Sequence, residues 1–284
     1  MSNYTRWIIW VPVLILASFS VPRRAAAQVD PWEFEVYPYA TLPRGMVELE
    51  ILNGVVADGH RIGGNGTAKG DFHSQDMWRN AYELTYGLTD RIEAAAYLNL
   101  TQVSGHGLQY AGSKYRLRGR LFDESTLPVD LGWYLELEWH KTPQFDDSEL
   151  ELELRPIIAK DIGPFSLVFN PKFEKAIFVG PNKNKGFEFG YAGGLYYRWL
   201  RSLSPGLEFY GGVGLMNDAD PVKDQQHYVF PVLWGQLPFG IEYNVGPGIG
   251  LTRGSDRLIM KFNLELERFV GSLFGASPES GWFF

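Results

Sequence analysis

The chain of 284 residues contains no cysteine. That excludes a disulfide framework and thiolate chemistry, so stability must come from packing or closure. Basic residues are in the minority, 26 Lys and Arg against 33 Asp and Glu, for a formal net charge of −7. Such a balance offers no basic footprint for nucleic acid. Beyond the N-terminal stretch no window holds eighteen apolar residues, so no transmembrane helix is expected. The five histidines, His60, His73, His106, His140 and His227, are scattered. G-x-S-x-G, H-E-x-x-H and P-loop patterns are all missing. No enzyme activity and no cofactor are expected.

What is present begins with a leader. A short segment carrying Arg6 precedes the apolar run Trp7 to Val21, and Ala25-Ala26-Ala27 stands before Gln28. This is the three-part layout of a secretory signal peptide, with cleavage expected after Ala27. The run is short and broken by Pro12, which makes it a poor membrane anchor. Cleavage would remove three arginines and no acidic residue, leaving 23 basic against 33 acidic residues.

Aromatic residues make up 15% of the chain and glycine numbers 32. Periodicity gives both a place. Val129, Leu131, Trp133, Leu135, Leu137 and Trp139 alternate with Asp130, Gly132, Tyr134, Glu136, Glu138 and His140. Leu150, Leu152 and Leu154 alternate with Glu149, Glu151, Glu153 and Arg155. Near the C-terminus Leu258, Met260, Phe262, Leu264 and Leu266 alternate with Lys261, Asn263, Glu265 and Glu267. Period two over ten or more residues puts the apolar side chains on one face of an extended strand. A tilted membrane-crossing strand needs roughly nine to eleven residues, whereas soluble strands average about five or six. The expected fold is all-β: a transmembrane antiparallel up-and-down β-barrel of about twelve strands over 46–269, with a tail over 270–284.

The expected strands run near 46–52, 78–88, 91–101, 110–121, 129–140, 149–160, 165–176, 187–199, 206–216, 228–237, 240–251 and 257–269. Thr89-Asp90, Asp161 to Pro164 and Pro238 read as short periplasmic turns. Most of the intervening connections are longer, as on the outer side of such barrels. The segment 28–45, with Trp32–Ala40 (WEFEVYPYA), reads as irregular: a periplasmic piece, or part of a long first strand. The alternative fold is a soluble periplasmic β-sandwich, whose strands would be shorter. Aromatics such as Trp139, Tyr197 and Trp199 near segment ends suit the interfacial girdles of a barrel instead.

If the polar faces point inward, the lumen is lined by Lys114, Arg116, Arg118, Arg120, Glu136, Glu138, His140, Glu149, Glu151, Glu153, Arg155, Glu188, Arg198, Glu265 and Glu267. A basic ladder beside acidic ones favours cross-strand pairing, and the acidic excess would favour cations. The same charges could instead neutralise one another and fill a narrow interior. The loop cluster Asp58, His60, Asp71, His73 and Asp76 reads as solvated, although a metal there is conceivable. Asp218, Asp220 and Asp224 lack the spacing of a calcium loop.

The hairpin Tyr86-Gly87-Leu88-Thr89-Asp90-Arg91-Ile92-Glu93, followed by Lys114-Tyr115-Arg116-Leu117, resembles the outer-membrane proteins grouped with the MetA pathway of phenol degradation. The resemblance implies a barrel of about this size and transport of small hydrophobic molecules, with no catalytic residues. Two functions stay open: a passive channel or uptake barrel for a small-molecule solute, and a closed structural barrel. The expected partners are outer-membrane lipid and, during biogenesis, the barrel-insertion machinery.

Overall fold

Each long alternating segment becomes a strand, and the strands close on themselves. The computed structural model describes residues 29–30, 32–59, 61–62, 72–102, 107–140, 150–178 and 186–266. Twelve strands build the wall: β1 (Val47–Asp58), β2 (Trp78–Thr89), β3 (Ile92–Gln102), β4 (Leu108–Arg120), β5 (Asp130–His140), β6 (Leu150–Ile162), β7 (Phe165–Phe178), β8 (Glu188–Tyr197), β9 (Ser204–Leu215), β10 (Gln226–Gln236), β11 (Glu242–Gly250) and β12 (Leu258–Glu265). Every strand pairs antiparallel with its chain neighbours, and β1 pairs with β12 to close the ring. Closure leaves no unpaired edge, which a strand assembly in lipid requires.

Burial is the reverse of a soluble protein. Leu84, Leu98, Leu117, Leu135, Leu154, Phe169, Leu195, Phe209, Leu233 and Phe262 are exposed on the outer face. Glu83, Asn99, Arg116, Arg118, Glu136, Glu153, Arg155, Asn170, Glu208 and Lys261, most of them their chain neighbours, are buried inside. An apolar outer surface around a charged interior is stable only where the outer solvent is itself apolar. Exposed Trp78, Tyr110, Trp139 and Phe187 mark one end of the strands, and Phe122, Phe165, Tyr197 and Trp199 mark the other. These are the two girdles. Leu135→Arg, at mid-strand, is therefore expected to destabilise the barrel in lipid vesicles by about 2–4 kcal/mol, read from the denaturant midpoint. A soluble sandwich would tolerate arginine at such an exposed position within about 0.5 kcal/mol. A shift that small would mean the outer face does not meet lipid.

One expected boundary moves. The first strand runs six residues beyond Leu52, to Asp58. The alternation continues through Asn53-Gly54: Val55 is exposed, while Leu52 and Val56 are buried. Pairing with both β2 and β12 holds this stretch extended. The last strand is described only to Glu265, and residues 267–284 lie outside the described residues.

Gly194 and Gly206 serve the inner packing. A Cβ on either would stand 2.5 Å from the Tyr196 ring, so the two glycines make room for that ring beneath the wall.

Candidate functional site in the barrel lumen

A strand in the wall shows one buried and one exposed face. The segment of residues 29–30 and 32–42 shows no such alternation: Trp32, Glu33, Phe34, Val36, Tyr37, Tyr39 and Leu42 are all buried. It is paired with no strand, and its partners lie all around the ring. The Val29 amide donates to Gln226 of β10, and the Trp32 indole donates to the Leu100 carbonyl of β3. Asn263 of β12 donates to the Phe34 carbonyl, and the Tyr37 amide donates to Asn170 of β7. Tyr39 donates to the Phe122 carbonyl, and the Leu42 amide to Glu93 of β3. One segment can touch opposite walls of a closed barrel only from inside. The sequence alternatives for it, a periplasmic piece or an extension of the first strand, give way to a chain threaded through the lumen.

The contacts also order the segment along the barrel axis. Val29 lies where β10 starts, at the end bearing the longer connections. Thr41 and Arg44 lie at Asp90, in the tight turn of the other end. The segment thus spans the lumen's length. Phe34 packs its ring against Tyr210, Tyr228 and Phe230, with centroids 4.9–5.4 Å away. Tyr37 is the second anchor. The guanidiniums of Arg155, Arg116 and Arg118 lie 4.9, 5.0 and 5.3 Å from its ring centroid, and its hydroxyl meets that of Tyr97 at 2.9 Å. Cations over an aromatic face inside a dry site are worth about 2 kcal/mol or more.

Charge fixes the same segment. Lys114 of β4 makes ion pairs with Asp30 and, at 2.9 Å, Glu33 of the segment. It also reaches Glu136 at 3.4 Å and Glu138 at 3.6 Å on β5. Arg155 joins Glu33 to Glu153, and Lys172 joins Glu153 to Glu174. Arg116 bridges Glu83 and Glu93, and Arg118 also takes Glu93. Long side chains on the wall are thus knit to each other through the chain in the middle.

Of the residues singled out from sequence, Lys114, Arg116, Arg118, Glu136, Glu138, Glu153 and Arg155 are brought together in this network. Glu151 lies opposite Glu138, and Glu188 opposite Glu174, in the same rows of the wall. Arg120 lies lower, donating to the Asp90 carbonyl beside Tyr39. Arg198 sits at the rim. It follows the end of β8 and clamps the rim turn through Asp161 and the Gly163 carbonyl. Glu265 lies opposite Glu50 and Glu242 in a separate acidic row. Of His140 only the strand backbone is described, and Glu149 and Glu267 lie outside the described residues. His60 and Asp71 of the loop cluster also lie outside them.

Sequence reasoning missed Asp30, Glu33, Phe34 and Tyr37. Their only signal was an alternating segment left over once twelve strands had been assigned.

No protein-family model matches the sequence, and no curated protein matches it. Among solved structures, the chain is similar to an outer membrane channel from Pseudomonas putida F1, at a TM-score of 0.54 and 13% identity. The match covers 81% of this chain and 99% of that one. A structure from work on in-meso crystallization of membrane proteins has a TM-score of 0.41 at 11% identity, over 82% of this chain and 96% of the other. A mutant of the Rh. blastica porin stands at 0.28 and 9%, over 78% and 99%. Only the first likeness carries weight, and at 13% identity it shows a shared fold.

Proposed function

We propose that this chain is an outer-membrane channel for small solutes, closed in its resting state by its own N-terminal segment. The observation that carries this reading is the character of the contact between segment and wall. Beside one apolar anchor at Phe34, the wall holds the segment through ion pairs of Lys114 and Arg155 and a hydrogen bond of Asn170, groups that water can solvate once the segment leaves. The similarity in fold to an outer membrane channel supports the same reading.

The passage would favour cations. Among the described residues outside the segment, eleven buried acidic side chains stand against seven basic ones, and rings of carboxylates select cations. The hairpin resemblance to phenol-pathway outer-membrane proteins adds small hydrophobic molecules as candidate solutes. The second reading, a closed structural barrel, is favoured by the small size of the cavity beside the segment, about 70 Å³.

The absence of native cysteine allows a clean test. Asn170 both accepts from the Tyr37 amide and donates to the Tyr37 carbonyl, so the two positions adjoin. In the double variant Tyr37→Cys, Asn170→Cys, planar-bilayer recordings should show cation-selective openings under reducing conditions and none after oxidation. Openings that ignore the cross-link would overturn gating by this segment. Silence of both the reduced variant and the wild-type chain would favour the structural barrel.

A further inference from the structure

Strand register creates a second feature beside the ion-pair network. Glu83, Glu50, Glu265 and Glu242 lie directly opposite one another on four neighbouring strands, β2, β1, β12 and β11. Like charges placed opposite destabilise a sheet. Glu48, two residues from Glu50 on the same face, and Glu35 of the threaded segment extend the group. Glu35, Glu48, Glu50, Glu242 and Glu265 line the 70 Å³ cavity together with Asn244 and with Arg116 and Arg118, both of which Glu93 engages. Carboxylate oxygens of Glu35, Glu50 and Glu83 lie within 4.8 Å of one another.

A second acidic trio in the lumen shows what such a group requires. Oxygens of Asp30, Glu33 and Glu136 are equally close, and the Lys114 ammonium is paired with all three. No ammonium contacts Glu35 or Glu50 among the described residues. Arg116 takes a single oxygen of Glu83, and both Arg116 and Arg118 are engaged by Glu93. Glu50 is only 8% exposed and has neither hydrogen bond nor ion pair among the described residues. Glu83 is 1% exposed, and its Oε2 has no hydrogen-bond partner. The same holds for the buried Oε2 of Glu35 and, across the cavity, for the Oδ1 of Asn244. Buried oxygens without partners are costly, and charged ones more so. Here they converge.

We infer that this cluster binds one divalent cation of the calcium class, held between Glu35 of the segment and Glu50 and Glu83 of the wall. The donors are all hard oxygens, and ligand distances of about 2.3–2.6 Å let one ion span the trio. Calcium accepts irregular, carboxylate-rich surroundings, whereas magnesium demands near-octahedral geometry and keeps its waters. The bound ion takes the place that Lys114 fills in the other trio. Because Glu35 belongs to the segment, the ion also fastens the segment to the wall. That consequence rests on the segment being the channel's stopper; the binding does not.

The test uses the full-length barrel in detergent, stripped with chelator and titrated with calcium chloride by calorimetry. Terbium luminescence provides a parallel reading, because Trp234 lines the cavity and can sensitise a bound lanthanide. One calcium per barrel is expected, with affinity at least tenfold weaker in Glu50→Gln and in Glu35→Gln and unchanged in Asp123→Asn at the exposed rim. Thermal unfolding should show a change of order. Without calcium, Glu50→Gln unfolds at a higher temperature than the wild type, because a like charge is gone; with calcium the wild type is the more stable. Absence of binding at millimolar calcium overturns the inference, as does equal binding by Glu50→Gln. So does a wild type stabilised by acid but indifferent to calcium, in which shared protons do the neutralising. Calcium that binds yet leaves the channel's closed times unchanged upholds the site and removes the stopper.

Discussion

Deleting residues 29–42 should turn a mostly silent barrel into one that conducts steadily. The segment occupies the lumen along its length, from Gln226 at one end to Asp90 at the other. A closed state favoured by a few kcal/mol leaves the open state populated at roughly 0.1–10%. Removing the stopper makes the open state permanent, so the mean current at fixed voltage should rise by about ten- to a thousandfold. Twelve paired strands remain, because no wall strand draws its ladder from the deleted segment. Reversal potentials in a salt gradient should shift toward the cation. A deletion variant that stays folded, judged by its strand-type circular dichroism, and remains silent would show the lumen closed by its own side chains.

The second large effect is expected at Lys114. Its ammonium is the shared partner of Asp30, Glu33, Glu136 and Glu138, and the side chain is fully buried. Lys114→Met leaves four buried carboxylates crowded around an apolar methyl group. Breaking a buried pair from one side costs about 3–5 kcal/mol. The denaturant midpoint in lipid should fall accordingly. Adding Glu136→Gln to Lys114→Met should restore part of the loss, because it removes one stranded charge; strict additivity of the two substitutions would count against the network. The exposed pair Arg91–Asp123 is also close, at 2.6 Å, yet its removal should cost no more than about 1 kcal/mol. Burial, more than distance, decides the difference. Since two of the four carboxylates belong to the segment, Lys114→Met should also open the channel more often.

The positions of these effects were unequally legible beforehand. Alternation around Tyr134, Glu136 and Glu138 assigned the strand and its inner face directly, since period two is a local property of extended chain. The same reasoning placed Arg116 and Arg118 inside. It put Arg198 inside as well; the residue follows the last paired position of β8 and holds the rim turn through Asp161. Asn53-Gly54 carried a turn's composition, and pairing on both sides overrode it.

Residues 32–36 mark the boundary of what local pattern can say. Trp32, Phe34 and Val36 alternate with Glu33 and Glu35 as they would in a wall strand, and nothing nearby in the chain distinguishes the two cases. Strand length, strand face and the apolar exterior could be read from the chain alone, because each follows from neighbours one or two positions apart. That a thirteenth segment would fill the ring could not. Nor could the meeting of Lys114 with Asp30 across 84 residues, or the row shared by four glutamates. Those depend on closure and register, which bring distant parts of the chain together and leave no mark on the residues beside them.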